Sequence, residues 1–451
     1  MNRRESIKLG LASIWGINMF PYIDGSSFDR LAVSNDQPYD LIIAGGGPAA
    51  MGAALMAAAL DMKTLIIEKE GCLGGVWTSG LLCNIMDQTN KKGANKRIIK
   101  ELNRVGGNIS SQAWSYVYHP EDMKYVLEQL CERYNIDIRL HSRVIKAEID
   151  DRKIASILVA SHTGLEKFKS DMFIDATGNG DLGAVCGAGF EMGHPKTGDT
   201  QPMSLMALLT GIDKDKAHKY VNNPGINGKH KFSRLLSKHH IHPSYSLPTL
   251  WRINEDLYGL MANHAYGFSG TDARDVTKAT LEARKEIFEM VQKFKAIDGF
   301  EKVQLVSTAE QIGIREGRRI SGKYTVKKED LIQGIRHPDA VCRVTLGIDV
   351  HSLDPDKSKS YDPANKIKTK PYDIPARALI SRDIKNLLMA GRCISGDFYA
   401  HSSYRVTGNS VALGEGAAFT ADLLRRNQYR FTADHYKEYK QLEDKRIAIE
   451  G

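Results

Sequence analysis

The sequence lacks paired cysteines. Its 451 residues contain six cysteines, at positions 72, 83, 131, 186, 342 and 393, and none of them forms a CxxC pair. Neighbouring cysteines are the usual basis of structural zinc sites, iron–sulfur clusters and redox dithiols. The sequence therefore argues against such sites built from neighbours in the chain, and it leaves disulfides between distant cysteines open.

Long apolar runs and long basic runs are also missing. No apolar run reaches the roughly 18 residues that a helix needs to span a bilayer, so we predict that this is not an integral membrane protein. The formal net charge is +8, with lysine and arginine interleaved among aspartate and glutamate. The densest basic run, residues 90–97, is short and is interpreted as solvated surface, which predicts no nucleic-acid partner.

The N-terminal segment differs from the body of the chain. Arg3 and Arg4 precede an apolar stretch of signal-peptide length, and Ala32 and Ser34 have the spacing of an A-x-A-like cleavage site. The run RRESIK resembles the twin-arginine export motif, with serine where an aromatic residue is usual. We predict export, with the periplasm as destination. The alternative is an amphipathic N-terminal helix on a cytoplasmic protein.

A strand, a glycine turn, a helix and a second strand follow one another from residue 39. Residues 40–44 form a continuous apolar run, residues 48–61 are rich in alanine and methionine, and residues 63–70 read KTLIIEKE. A continuous apolar run of this length is typical of a buried parallel strand. The order predicts a βαβ unit and therefore an α/β fold with a parallel sheet.

The turn of this unit fits the pattern G-x-G-x-x-A. Gly45 permits the tight turn, Gly47 allows backbone to approach a pyrophosphate, and Ala50 keeps the helix close to the strand. Glu68 ends the second strand, where a carboxylate accepts hydrogen bonds from ribose hydroxyls and would repel the 2′-phosphate of NADP. These residues predict an adenine dinucleotide and leave NAD and FAD open.

Later segments resemble the bacterial FAD-dependent oxidoreductases, within the broad glutathione-reductase-like flavoprotein class. The resemblance is carried by Gly74 and Gly75 in KEGCLGGVWTSG and by the segments at 173–193, 310–334 and 373–418. It implies that FAD is the cofactor and that these segments surround it. The FAD-binding residues implied by the turn and the resemblance together are Gly45, Gly47, Pro48, Ala49, Ala50, Glu68, Lys69, Gly74, Gly75, Val144, Ala176, Thr177, Gly178, Asp181, Gly391, Arg392, Asp397, Asn409 and Ser410.

The fold class follows from the same segments. Residues 136–178 alternate in strand fashion, with turns at Asp150-Asp151 and 162–164, which predicts a β-meander. We expect an α/β protein with a Rossmann-like FAD-binding domain, the inserted meander and a discontinuous α+β substrate domain. The predicted boundaries are 1–34 for the export segment, 35–190 with 371–430 for the FAD-binding domain, 191–370 for the substrate domain and 431–451 for a C-terminal helical tail.

His401 and Arg405 are the catalytic candidates. Both follow the strand that the resemblance places beside the flavin; a histidine has the pKa range of a general base, and an arginine binds a substrate anion. Other candidates are more readily explained as structural. They are Arg315, Arg318 and Arg319 for substrate binding, His264 for a general base, His239, His240 and His242 for metal, and Cys393 for a flavin tether.

The predicted function is hydride transfer between a small polar substrate and flavin N5. No second strand–GxGxxG–helix unit is visible, so we expect a separate electron donor or acceptor. The alternatives are a flavin monooxygenase or halogenase, an NAD-dependent dehydrogenase, and a dinucleotide-binding module without enzymatic activity. The substrate, the direction of reaction and the oligomeric state are not predicted.

Overall fold

The computed structural model describes residues 33–34, 38–106, 115–223, 226–354 and 363–451, so the predicted export segment lies outside the described residues except for its last two. The strands are β1 Val33–Ser34, β2 Tyr39–Ala44, β3 Thr64–Ile67, β4 Asn84–Met86, β5 Ser115–Val117, β6 Asp137–Arg139, β7 Arg143–Asp150, β8 Lys153–Ser161, β9 Gly164–Phe168, β10 Ser170–Asp175, β11 Phe190–Glu191, β12 Met206–Thr210, β13 Thr249–Arg252, β14 Tyr258–Met261, β15 Gln304–Thr308, β16 Arg319–Ile320, β17 Ala340–Val344, β18 Tyr372–Pro375 and β19 Leu387–Met389. The α-helices are α1 Pro48–Ala59, α2 Ala94–Arg104, α3 Pro120–Arg133, α4 Asp181–Val185, α5 Lys214–Ala217, α6 Lys229–Lys238, α7 Ala273–Phe294, α8 Lys328–Gln333, α9 Phe398–Tyr404, α10 Thr407–Arg426 and α11 Tyr439–Glu450.

A five-stranded parallel sheet, in the order β19-β10-β2-β3-β6, forms the centre of the first core. In register, Ala44 at the end of β2 lies between Asp175 of β10 and Ile67 of β3. β2, β3 and β10 are buried along most of their length, as parallel strands covered on both faces should be. The Rossmann-like fold predicted from the βαβ pattern is confirmed.

Helices α1 and α10 pack backbone against backbone beside this sheet. A Cβ on Gly52 of α1 would overlap the carbonyl oxygen of Val411, and one on Gly414 of α10 would overlap that of Ala49. The alanine and glycine content of both helices is therefore a packing requirement. This contact fixes the N-termini of both helices near the same edge of the sheet.

The predicted meander is present as β7, β8 and β9, which pair antiparallel with turns at the expected positions. It lies between β6 and β10 in the chain and forms a sheet separate from the parallel one. β1 adds to it by pairing parallel with β9.

A second core is built on the antiparallel sheet β13-β14-β12-β15. Helix α7 packs the buried face Ala283, Ile287, Met290 and Phe294 into this core. The amphipathic pattern predicts a helix over 281–297, but α7 begins eight residues earlier. Asp272 caps it by accepting hydrogen bonds from the first-turn amides, and the polar first turns carry little apolar signal.

The two cores divide the chain unequally. Most of the second core comes from residues 203–312, whereas residues 320–350 pack in the first core. The predicted domain boundaries remain predictions. Within the part of the chain that the structure describes, every helix is too short or too polar to cross a membrane.

Candidate cofactor and substrate site

The glycine turn between β2 and α1 has the geometry that the sequence predicts. Gly45 has φ +95°, and a Cβ there would lie 2.6 Å from the carbonyl oxygen of Ala176. Gly47 precedes α1 without a capping side chain, and a Cβ on it would meet nothing within 4 Å. The first-turn amides of α1 are therefore free of a side-chain partner beside open space, which is the arrangement that binds phosphate.

Glu68 stands beside this turn at the end of β3. Its carboxylate accepts hydrogen bonds from the amides of Gly46, at 2.5 Å, and Glu70, at 2.8 Å. The next loop lies against the turn, since the amide of Gly74 donates to Gly46 at 2.8 Å and a Cβ on Gly75 would come within 3.2 Å of Gly47. Glu68 is thus held at the turn with lone pairs left for further donors.

The end of β10 supplies the next wall. Asp175 is fully buried and accepts from the hydroxyl of Thr177 at 2.7 Å and from the amide of Gly183 at 2.8 Å. Burial raises the pKa of Asp175, and the hydrogen bonds from Gly183 and Thr177 oppose that shift. These bonds hold the Ala-Thr-Gly segment against the start of α4, at Asp181.

The end of β19 and the start of α10 close the opposite side. Gly391 has φ +80°, and Arg392 donates to Asn179 at 2.8 Å while its Nε has no hydrogen-bond partner. Burial lowers the pKa of Arg392 to about 10, with Arg405 adding to the shift. Helix α10 has no capping side chain, and the hydroxyl of Thr407 in its first turn has no partner. A second uncapped helix N-terminus therefore stands beside the same space.

These strand ends surround one cavity, which encloses about 1070 Å³ of space free of protein atoms, its open mouth included. Residues 311–314, from the edge of the second core, form part of its wall. The predicted residues that line it are Gly45, Gly47, Pro48, Ala49, Glu68, Lys69, Gly75, Val144, Ala176, Thr177, Gly178, Asp181, Gly391, Arg392, Arg405 and Ser410. An elongated dinucleotide fits this space, because both uncapped helix ends and a carboxylate meet it.

Other predicted cofactor residues lie behind the lining. Ala50 and Asn409 are fully buried, and Gly74 is buried and does not line the cavity. Asp397, expected among the FAD-binding residues, instead caps α9 by accepting from the amide of Ala400 at 2.7 Å, and its other carboxylate oxygen accepts from the amide of Lys328, at the start of α8, at 2.7 Å. Its side chain is committed to backbone because it begins a helix.

His401, the predicted base, does not line the cavity either. It lies within α9, fully buried, and neither ring nitrogen has a hydrogen-bond partner. Burial lowers the pKa of His401 well below its usual range, and Arg319, Arg405 and Arg392 add to that shift. A base must reach its proton, so this position corrects the expectation drawn from the sequence.

Arg405 does line the cavity and connects it to a polar group of side chains. Its guanidinium donates to Gln201 Oε1 at 3.1 Å and to the carbonyl of Asp349 at 2.7 Å. We call the surrounding residues the histidine–arginine cluster. Its members are Tyr245, His264, Tyr266, Arg315, Asp349, His351 and Arg405.

Rings and charges are packed closely in this cluster. The rings of His264 and His351 lie 5.0 Å apart, and Tyr245 lies 4.3 Å from His264. Burial lowers the pKa of His351 to about 4, Arg315 adds to the shift, and Asp349, 3.6 Å from its Nε2, opposes it. Sequence reasoning named His264, Arg315 and Arg405 but missed Tyr245, Asp349 and His351, which no local motif marks.

The remaining candidates have structural partners. Arg318 pairs with Asp181 at 3.0 Å, and Arg319 forms a buried ion pair with Glu316 at 2.5 Å. The thiol of Cys393 is buried and does not line the cavity. His239, His240 and His242 belong to no metal-ligand group among the residues that the structure describes.

Comparison with known proteins identifies FAD as the cofactor for the cavity. The family model described as FAD dependent oxidoreductase matches residues 40–442. Dihydrolipoyl dehydrogenase of Trypanosoma brucei brucei is 53% identical over 38 residues, 8% of either chain. The mitochondrial dihydrolipoyl dehydrogenase of Caenorhabditis elegans is 46% identical over 57 residues, 12% of either chain. The chain thus spans about a tenth of the length of these curated relatives.

The solved structures that match this chain are distant in sequence. A geranylgeranyl bacteriochlorophyll reductase-like protein of Thermoplasma acidophilum is 13% identical, with a TM-score of 0.47, over 91% of this chain and 84% of that one. The p-nitrophenol 4-monooxygenase of Pseudomonas putida is 11% identical, with a TM-score of 0.48, over 92% of this chain and 86% of that one.

Proposed function

We propose that this chain, which belongs to the FAD dependent oxidoreductase family, transfers a hydride between a small polar substrate and its FAD. When bound, FAD supplies a ring that accepts or donates a hydride at N5. The observation that carries the proposal is the cavity itself, which runs from Glu68 past two uncapped helix N-termini to Arg405.

Different residues along the cavity are proposed to bind different parts of FAD. We propose that Glu68 accepts from the ribose hydroxyls, while the first-turn amides of α1 and the Gly45–Gly47 turn bind the pyrophosphate. Gly391, Arg392 and the start of α10 lie at the opposite side. A helix N-terminus there favours negative charge on the part of the cofactor beside it.

Arg405 is the residue that we propose for contact with substrate. It is the one member of the histidine–arginine cluster that also lines the cavity. Its side chain is only 7% exposed, so its charge acts in a poorly solvated site. The cluster and residues 311–314 would then enclose the substrate on the side of the second core.

The electron partner is proposed to be a separate molecule. The sequence carries no second strand–GxGxxG–helix unit that would hold a nicotinamide cofactor on the same chain. Electrons taken from the substrate would therefore leave to another carrier, or arrive from one.

The proposal is tested by measuring flavin absorbance under anaerobic conditions. Purified protein should be yellow, release FAD on denaturation, and lose its flavin absorbance when mixed with the right member of a metabolite panel. Arg405→Gln should retain FAD and lose at least about tenfold in the rate of bleaching, because a charged hydrogen bond in a buried site is removed. Arg274→Gln, at an exposed position of α7, is the matched control and should bleach at the wild-type rate. In a parallel aerobic reaction with the same substrate, a product that has gained an oxygen atom from O₂ would contradict the proposal and assign a monooxygenase.

Export by a twin-arginine-like route is also proposed, from Arg3 and Arg4. Replacement of both arginines by lysine should shift the protein from the periplasm to the cytoplasm in cell fractionation. An unchanged distribution would count against this route.

A further inference from the structure

The histidine–arginine cluster has more positive than negative charge. Arg315 and Arg405 both belong to it, and Asp349 faces them. Glu316 also acts on Arg405, but it forms its own ion pair with Arg319. Burial lowers the pKa of Arg315 to about 10, with Arg405 adding to the shift, and burial also lowers the pKa of Arg405. A guanidinium group is protonated in proteins near neutrality. Lys229, from α6, lies near Asp349 as well. Two close cations in a buried site leave a positive charge that one carboxylate does not balance.

The guanidinium groups are held in place by backbone and side-chain acceptors. Arg315 donates to the carbonyl of Pro202 at 2.6 Å and to the hydroxyl of Ser204 at 2.9 Å. Arg405 is held by Asp349 and Gln201, as described above. Side chains fixed in this way lose little entropy when a ligand binds, which favours binding.

The cluster and its neighbour Gln201 also hold buried polar atoms without partners. His264 is 7% exposed; its Nδ1 lies 3.1 Å from the hydroxyl of Tyr266, and its Nε2 has no hydrogen-bond partner. The Nε2 of Gln201, whose Oε1 accepts from Arg405, has none either. An unpaired buried polar atom costs free energy, so these atoms point to a ligand with hydrogen-bonding groups.

We infer that this cluster binds an oxyanion, a carboxylate or a phosphate, on the substrate. The inference rests on the proposed function, because it gives the substrate's chemical class for the same site. Arg315 and Arg405 balance the anion's charge, and Gln201 Nε2 donates a hydrogen bond to it. His264 adds a further hydrogen bond through Nε2 when that nitrogen carries the proton. The substrate is then a small organic acid or a phosphate ester whose reacting carbon extends toward the cavity.

The experiment is calorimetric titration of the FAD-loaded protein at low ionic strength. The probes are sodium malonate, inorganic phosphate and neutral malonamide. We expect malonate or phosphate to bind and malonamide not to bind. The anion that binds more tightly shows whether the substrate carries a carboxylate or a phosphate. Binding of malonamide as tight as that of malonate, or no binding of either anion, would overturn the inference.

Variants connect the binding to the cluster. Arg315→Gln should lower the affinity for the anion by at least about tenfold, since a charged hydrogen bond is lost. Arg315→Lys should recover part of that loss because it restores the charge without the planar fork. Arg274→Gln is the matched control. Equal affinity in Arg315→Gln and wild type would also overturn the inference.

The outcomes separate the two proposals. Protein that carries FAD and is bleached by a metabolite, yet binds neither malonate nor phosphate, contradicts the oxyanion site and leaves the proposed function standing. Protein that binds malonate through Arg315 but is bleached by no metabolite supports the site and contradicts hydride transfer.

Discussion

Glu68 connects the second strand to the glycine turn through its two backbone hydrogen bonds. Its carboxylate is 5% exposed, and it lines the cavity. A charged acceptor in a poorly solvated place binds hydroxyl donors more strongly than a neutral one does. Its contribution is therefore measurable as affinity for FAD.

Glu68→Gln should bind FAD about tenfold more weakly, because a hydrogen bond to a charged acceptor is worth about 1.5–3 kcal/mol. Fluorescence titration of the apoprotein measures the affinity. Glu289→Gln changes an exposed carboxylate of α7 that does not line the cavity, and should leave the affinity unchanged. Equal effects of the two substitutions would contradict the role of Glu68.

Unlike Glu68, which accepts two backbone hydrogen bonds, His401 is buried and its ring nitrogens have no hydrogen-bond partner. Its pKa lies well below that of an unfolded histidine because of burial, with nearby arginines adding to the shift. The unfolded chain therefore binds a proton at this position at a pH where the native chain does not. The contribution of His401 to stability falls as the pH drops through about 6.5, the unfolded value.

His401→Leu should reduce this acid sensitivity. Between pH 7.5 and pH 5, the wild type should lose more free energy of unfolding than the variant, by at most about 1.4 kcal/mol per pH unit below the unfolded pKa. Urea unfolding at the two pH values provides the measurement. Parallel losses in the two proteins would mean that His401 finds a partner for its proton in the native state.

At the scale of elements, the α1–α10 contact determines where the cofactor can lie. Both helices begin at the cavity, and their small residues bring them together backbone to backbone. The two N-termini are positioned by this packing and not by any side-chain cap. A change in the middle of either helix should therefore act at the cavity.

Gly414→Ala should destabilise the protein by about 3 kcal/mol, because the added Cβ would overlap the carbonyl oxygen of Ala49. A rigid backbone contact cannot relax to relieve such an overlap. It should also lower the FAD content after purification. Gly259→Ala is the control, since a Cβ there would meet Ile253 and Trp251 at an ordinary 3.6 Å. Denaturant unfolding compares the two, and a Gly414→Ala protein as stable as the control would show that the helices can separate without cost.

At the scale of the whole molecule, the cavity lies where two cores meet. Its walls come from the parallel sheet and from residues 311–314 at the edge of the second core. A ligand that contacts both cores stabilises both together. Removal of FAD should therefore weaken the protein as a whole.

The FAD-loaded protein should unfold at a higher temperature than the apoprotein, because binding to the native state alone adds about 4 kcal/mol at a free concentration 1,000 times the dissociation constant. Calorimetry of both forms measures this, and readdition of FAD should restore the transition whereas NADH should not. An apoprotein with the same transition temperature would argue against a cofactor seated between the cores.

The sequence by itself determined the cofactor half of this protein. The β2–turn–α1–β3 order, Glu68 and the Gly74-Gly75 loop are neighbours in the chain, and local spacing is sufficient to identify a dinucleotide site. The meander was equally readable, since alternation and turns are local signals.

Only the tertiary structure decided which residues surround the proposed substrate site. Asp397 and His401 lie in the predicted segment, yet one caps a helix and the other points into the core, because helix geometry sets the direction of each side chain. Tyr245, His264 and His351 come from distant segments; His264 lies beside residues of the second core, and His351 follows residues of the first. No spacing in one sequence reports such a meeting, because residues far apart in the chain are brought together by the fold.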